Sequence, residues 1–263
     1  VASGSGSDGA NAVQQACSGS AAEWVLDPTA DGRYRLVNAS SDKALDVANC
    51  TTADGGNVRQ WAWLDNFCQQ WEVAPTSGGW LRLTSRNSGN VLEVAGCATG
   101  AGANVQQGSW DGSTCQQWRL QPVGPVAIAA TQSGRVVDVT NCAAGNGTDI
   151  RQWEWLGSPC QQWTFTHTDN GYYQLHPGSA PGSCLVVAGG STANGANVEQ
   201  NTCTGNQSQW RLDPLPDGSV RFVARHSGGV LDLSFCGLAN GTDLIQWSWL
   251  DNICQRYHLL RPA

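Results

Sequence analysis

The sequence predicts an all-β protein built from six copies of one unit. Three observations point there. Charged residues make up only 13% of the 263 positions, and Gly, Ser, Thr, Asn and Ala fill much of the rest, which suits short strands separated by many turns. A single pattern recurs as GANAVQQACSGSAAEW, GGNVRQWAWLDNFCQQW, GANVQQGSWDGSTCQQW, GTDIRQWEWLGSPCQQW, GANVEQNTCTGNQSQW and GTDLIQWSWLDNICQRY. Its closing aromatics, Trp24, Trp71, Trp118, Trp163, Trp210 and Tyr257, stand 47, 47, 45, 47 and 47 residues apart, and self-similarity at a fixed period is the mark of a repeat architecture. The third observation is cysteine spacing. Cys50 and Cys68, Cys97 and Cys115, Cys142 and Cys160, and Cys236 and Cys254 are each separated by 18 residues, and Cys184 and Cys203 by 19.

Each repeat opens on an alternating apolar run such as Tyr34 and Leu36. It passes a Ser/Asn/Gly turn and continues in a second run such as Leu45 and Val47, the period of two expected of half-buried strands. A third strand is expected over 58–61, and a fourth that contains Gln69-Gln70-Trp71 and continues to Val73. Only five such front halves exist. Aligning VASGSGSDGAN on VAGGSTANGAN sets Cys17 level with Cys203, so the partner expected for Cys17 would fall three residues before Val1. Two expectations follow: an upstream segment has been removed, or a cleaved piece remains attached through Cys17. Four strands in about 47 residues suit a six-bladed propeller or two closed barrels of three repeats each.

A recurring cysteine separation is best explained by one local disulfide per repeat, which points to a secreted, extracellular protein. Net charge is −7, Lys43 is the single lysine and the arginines are scattered. That excludes the basic stripe of a nucleic-acid binder and makes an anionic membrane a poor partner. No apolar stretch approaches the roughly 18 residues of a membrane span. No cofactor or metal motif is present: there is no CxxC pair or His cluster at zinc-ligand spacing.

The motif Gln-x-Trp stands as Gln69-Gln70-Trp71, Gln116-Gln117-Trp118 and Gln161-Gln162-Trp163, and shifts to Gln207-Ser208-Gln209-Trp210 in the fifth repeat. Here the chain resembles the ricin B-chain type of lectin domain, also known as family 13 carbohydrate-binding modules, over essentially its whole length. The resemblance implies two tandem β-trefoils, 1–123 and 124–263, the first with an incomplete first repeat. The boundary is expected near LQPVGPVA, where the repeat is two residues short.

A sugar offers hydroxyls on its edge and C–H bonds on its flatter face, so recognition calls for a fixed carboxylate or amide and an aromatic platform. The resemblance assigns the first to the Asp of LDV and the second to the aromatic closing the third strand, with the Gln of QxW supporting them. Carried over, the second repeat offers Asp46, Trp61 and Gln69, the fourth Asp138, Trp153 and Gln161, and the sixth Asp232, Trp247 and Gln255. A cysteine takes the family's Asn position, and Asn66 and Asn252 are the expected substitutes. The third repeat has Glu93 but Gly108 for the platform, and the fifth has Val186 and Asn201. Trp71, Trp118, Trp163 and Trp210 are expected in the core. Trp63, Trp155 and Trp249 stand where the family has a cysteine, and are expected to fill that space or to form a second sugar-facing ring.

Glycoside hydrolysis usually needs two carboxyl groups across one bond. Asp46 and Asp65 are such a pair in principle, but Asp65 becomes Gly157 in the fourth repeat, and His167, His176, His226 and His258 follow no triad order and are expected on the surface or in loops. The expectation is a non-catalytic, multivalent binder of a galactose-, arabinose-, xylose- or mannose-containing glycan, anchoring a larger secreted enzyme. The lectin part of a toxin and a protein-binding trefoil such as a protease inhibitor are the alternatives.

Overall fold

A computed structural model of the chain describes residues 1–29, 31–169 and 171–262. As expected, the elements are strands joined by turns, with single turns of 3-10 helix. The chain divides into two compact units: Val1–Arg119 with Pro216–Gly218, and Leu120–Leu215 with Ser219–Ala263.

The first unit carries β1 (Trp24–Pro28), β2 (Tyr34–Asn38), β3 (Ala44–Val47), β4 (Val58–Trp61), β5 (Trp71–Pro75), β6 (Leu81–Ser85), β7 (Val91–Val94) and β8 (Val105–Gly108). They form one antiparallel sheet in the order β4-β3-β2-β5-β6-β7-β8, with β1 paired to β2. The second unit carries β9 (Ala127–Ala130), β10 (Val136–Val139), β11 (Thr148–Trp153), β12 (Trp163–His167), β13 (Tyr172–Pro177), β14 (Ser183–Val187), β15 (Ala196–Thr202), β16 (Trp210–Pro214), β17 (Val220–Ala224), β18 (Val230–Leu233), β19 (Leu244–Trp247) and β20 (Tyr257–Leu260). Here β20 pairs with both β9 and β17.

One expectation needs correcting. The fourth strand of the second repeat starts at Trp71, because Phe67–Gln69 winds into a 3-10 turn whose Gln69 side chain is spent on the preceding loop.

The recurring tryptophans have a definite task. Trp71, Trp163 and Trp210 are fully buried, and their indole N–H groups donate to Leu45 O (3.2 Å), Val137 O (3.1 Å) and Leu185 O (2.9 Å). Each ring thus fills the core and ties down the second strand of its own repeat, which satisfies the polar end of an otherwise apolar side chain. Trp118 makes the same bond to Leu92 O (2.9 Å) but is only half-buried, as is Trp24. Trp118 departs from the expected core burial in the unit whose first repeat supplies no named strand ahead of β1 to add cover.

A second repeated device was not foreseen. A glutamine in the third strand of each repeat, buried in all but the first, donates its amide hydrogens to carbonyls in the turn of another repeat. Gln60 reaches Ser5 O and Ser7 O (2.7 and 2.9 Å), and Gln107 reaches Thr51 O and Ala53 O (2.9 and 3.0 Å). Gln14 approaches Ala98 O and Gly100 O at 3.4 and 3.5 Å. In the second unit Gln152 holds Gly237 O and Ala239 O, Gln200 holds Ala143 O and Gly145 O, and Gln246 holds Ser191 O and Ala193 O. In each unit the clips run around a closed ring of three repeats.

All five expected disulfides are present. Cys17 is exposed and free. No helix among the described residues is long and apolar enough to cross a membrane.

Candidate functional site

The register of each second-to-third-strand hairpin decides what faces what. In the second repeat Asp46 lies opposite Arg59 and Ala44 opposite Trp61. In the fourth, Asp138 lies opposite Arg151 and Val136 opposite Trp153. In the sixth, Asp232 lies opposite Ile245 and Val230 opposite Trp247. Alternation then puts the carboxylate and the ring on one face of the hairpin, two residues apart along it. The aspartates are buried and the three rings half-exposed.

Each ring rests on a turn of another repeat. The edges of Trp61, Trp153 and Trp247 pack against Gly9, Gly241 and Gly195, so closely that a Cβ there would sit 3.6, 3.7 and 3.5 Å from the ring. All three glycines have φ near +85°, a conformation that disfavours other residues. Beside them, Asp8, Asn240 and Asn194 accept from the backbone N–H of Ala62 (2.8 Å), Glu154 (2.9 Å) and Ser248 (2.8 Å).

The glutamine of QxW is the strut of the site. Gln69 receives Leu64 N (2.7 Å) and donates to Ala62 O (2.8 Å), Gln161 does the same with Leu156 N and Glu154 O, and Gln255 with Leu250 N and Ser248 O. Gln255 also donates to Asp232 Oδ2 at 2.6 Å. Asn66 and Asn252 have a local use: their Oδ1 atoms accept from Cys68 N and Cys254 N, capping the 3-10 turns.

Electrostatics separates the three places. Arg59 Nε donates to Asp46 Oδ2 at 2.9 Å, and its guanidinium lies 4.1 Å from the centre of the Trp61 ring. Arg151 Nε donates to Asp138 Oδ1 at 3.0 Å and lies 4.0 Å from the Trp153 ring. In both, one arginine pairs the carboxylate and covers a face of the platform. Burial pushes the Asp46 and Asp138 carboxyls above the usual aspartate range, and the arginine, then the glutamine, pull part of the way back. Ile245 has no charge to offer, so Asp232 has only Gln255 against the same burial. Its second oxygen takes no hydrogen bond from the described residues.

The third and fifth repeats hold no such pair. Glu93 folds into the space over Gly108, its carboxylate only 2.6 Å from where a Cβ would stand, and is held by Gln106 (2.7 Å) and Gln116 (2.8 Å). Val186 faces Glu199, which bonds Asn201 (2.7 Å).

Trp63 and Trp249 are half-buried under Arg35 and Arg221, at 5.1 and 4.7 Å. Trp155, whose repeat has Ala127 in the arginine's place, is 41% exposed. Of the histidines expected on the surface or in loops, His226 lies in the turn after β17, whereas His167, His176 and His258 stand in β12, β13 and β20, all half-buried. His176 lies 3.7 Å from the sulfurs of both Cys184 and Cys203, but those sulfurs are bonded to each other, which leaves one nitrogen as a metal ligand. A hollow of about 170 Å³ next to Asn194, Gln246 and Trp249 touches neither Asp232 nor Trp247.

The arginines and Ile245 were missed by sequence reasoning. The signal was present, since the residue two before each platform ring must face the aspartate in a two-strand hairpin.

No curated protein matches the chain. Among solved structures, it is similar to ThreeFoil, a designed three-fold symmetric protein, with 34% identity over 53% of this chain and 99% of that one and a TM-score of 0.52. An exo-β-1,3-galactanase from Clostridium thermocellum matches 90% of this chain at 18% identity and a TM-score of 0.51, and 57% of that chain is covered. The Rhizoctonia solani agglutinin matches 54% of this chain and 96% of its own at 22% identity and a TM-score of 0.49. The ricin-type β-trefoil lectin domain-like family model matches residues 1–61, 67–153 and 159–247. With most of its length matched, the chain belongs to that family.

Proposed function

We propose that this chain is a non-catalytic, carbohydrate-binding module, with candidate sites at Asp46 and Trp61, Asp138 and Trp153, and Asp232 and Trp247. The observation that carries the reading is the hairpin of the sixth repeat. Asp232 is held by one amide, has one oxygen without a bond from the described residues, and shares a face with a half-exposed Trp247. A carboxylate fixed beside an apolar ring is what the edge and face of a sugar require.

The sites are unequal. A sugar at Asp46 or Asp138 must share the carboxylate with a charged arginine, whereas at Asp232 it shares it only with the neutral amide of Gln255. The sixth repeat is therefore the principal site for neutral sugars containing galactose, arabinose, xylose or mannose. Weak single contacts on one chain gain from linkage through effective concentration, which suits a polysaccharide and the anchoring of a larger enzyme. Five disulfides fit an extracellular setting. Pull-down on insoluble arabinoxylan, galactan and mannan tests the reading directly. Retention lost on Asp232→Asn supports it, and a chain that binds none of the three with all three aspartates intact overturns it.

A further inference from the structure

Phe235 is fully exposed, the most exposed large apolar side chain among the described residues. It stands at φ +52°, the left-handed region, in the turn that follows β18. The equivalent turns have the same backbone but place Ser3, Asn49, Gly96, Asn141 and Gly189 there. Those residue types tolerate the conformation and contact with water, and a phenylalanine tolerates neither well. The turn is held firmly nonetheless. Ser234 N donates to Asp243 O (3.0 Å), Gly237 N to Ser234 O (3.0 Å), and Gln132 Nε2 to Cys236 O (3.1 Å). The bridge from Cys236 to Cys254, with Cα atoms 5.3 Å apart, brings in Ile253, also exposed. A bulky residue kept in a strained, solvated position calls for a functional reason.

Position supplies one. Trp247 pairs with Val230, Asp232 lies two residues further along β18, and Phe235 three residues beyond that. The platform ring, the carboxylate and the phenyl ring therefore follow one another along the hairpin, with Asp232 between the two aromatics. We propose that Phe235 forms a second subsite that receives the apolar face of the next ring of an oligosaccharide whose first ring sits at Asp232 and Trp247. This rests on the carbohydrate reading of the sixth repeat and adds chain-length selectivity to it. The second and fourth repeats have Asn49 and Asn141 at this position and lack the second aromatic ring.

The test is titration calorimetry of the intact chain with the mono-, di- and trisaccharides of β-1,4-xylose, α-1,5-arabinose, β-1,3-galactose and β-1,4-mannose. The variants are Phe235→Asn, Phe235→Gly and Asp232→Asn. Asn and Gly already occupy this turn in other repeats, so both Phe235 variants should melt no lower than the wild type. In the wild type, affinity should rise at least tenfold from mono- to trisaccharide of the preferred series. The ratio should shrink at least fivefold in both Phe235 variants, and Asp232→Asn should weaken the whole series. An unchanged ratio in the Phe235 variants, with Asp232→Asn still weakening binding, overturns the second subsite and leaves the first standing. Wild-type chain that binds no saccharide overturns both. Concentration-dependent dimers, or binding to phosphatidylcholine vesicles, that disappear in Phe235→Asn would assign the ring to a second copy or a lipid surface and overturn the proposal.

Discussion

Replacing Asp232 by Asn removes one charge from the sixth repeat and almost nothing else. The amide oxygen still accepts from Gln255 Nε2, now 2.6 Å from the carboxylate, so the strut between Asp232 and the 248–255 loop survives. What is lost is the second acceptor. A hydrogen bond to a charged group contributes about 1.5–3 kcal/mol, so a sugar that donated two hydroxyls to the carboxylate should bind roughly 10- to 100-fold more weakly. The same change at Asp46 or Asp138 should cost less, because Arg59 and Arg151 already engage those carboxylates at 2.9 and 3.0 Å. Stability should move the other way. Burial raises the folded-state pKa of Asp232 above its unfolded value, so the folded state holds the proton more tightly and the ionised group opposes folding once pH exceeds that raised value. Asp232→Asn should therefore melt higher than the wild type at pH 7, and the difference should vanish below about pH 4, the ordinary aspartate range. Calorimetric titration with a trisaccharide and thermal melts from pH 3 to 7 measure both. Binding of the Asp232→Asn chain within twofold of wild type, or a greater loss from Asp46→Asn, refutes the ranking of the sites.

Further outcomes follow from the same geometry. Ile245→Arg should rebuild the ion pair of the other repeats opposite Asp232 and lower affinity about fivefold or more, read by the same titration. Sugar binding should fall with decreasing pH from a point above the ordinary aspartate range, because all three carboxyls have raised pKa values and accept hydroxyls fully only when ionised; a profile flat down to pH 3.5 would contradict this. Trp163→Ala should cost about 3–5 kcal/mol of stability in denaturant unfolding, since it empties a fully buried site and leaves Val137 O without its donor.

Much of this arrangement could be read from residues in order. The cysteine separations gave the disulfides, and alternation in runs such as Tyr34-Arg35-Leu36 gave the strands. The pairing of each aspartate with a ring came from the resemblance to the ricin-type lectin domain, carried over repeat by repeat. What escaped was anything that depends on a neighbour across the hairpin or in another repeat. Arg59 reads as one more scattered charge until Asp46 is set opposite it. Gln60 looks like a polar residue in a strand, yet it is fully buried because carbonyls of a distant turn satisfy it. Asn66 is expected to replace the family amide from the adjoining loop, and its oxygen also has a shorter-range partner, Cys68 N. Local side-chain to backbone bonds compete with function for the same atoms, and one-dimensional spacing does not reveal which wins.

The glycines under the platform rings bear on how such a module gains its activity as it folds. Trp247 belongs to the sixth repeat, but the surface that supports it, Gly195, belongs to the fifth, and Trp153 likewise leans on Gly241 of the sixth. No repeat owns a complete site. A single repeat made alone would carry every side chain of the proposed site and still lack the wall that orients its ring. Binding therefore becomes a property of assembled neighbours. A bound sugar would hold two repeats together, so saturating ligand should resist separation of the repeats as well as occupy a pocket.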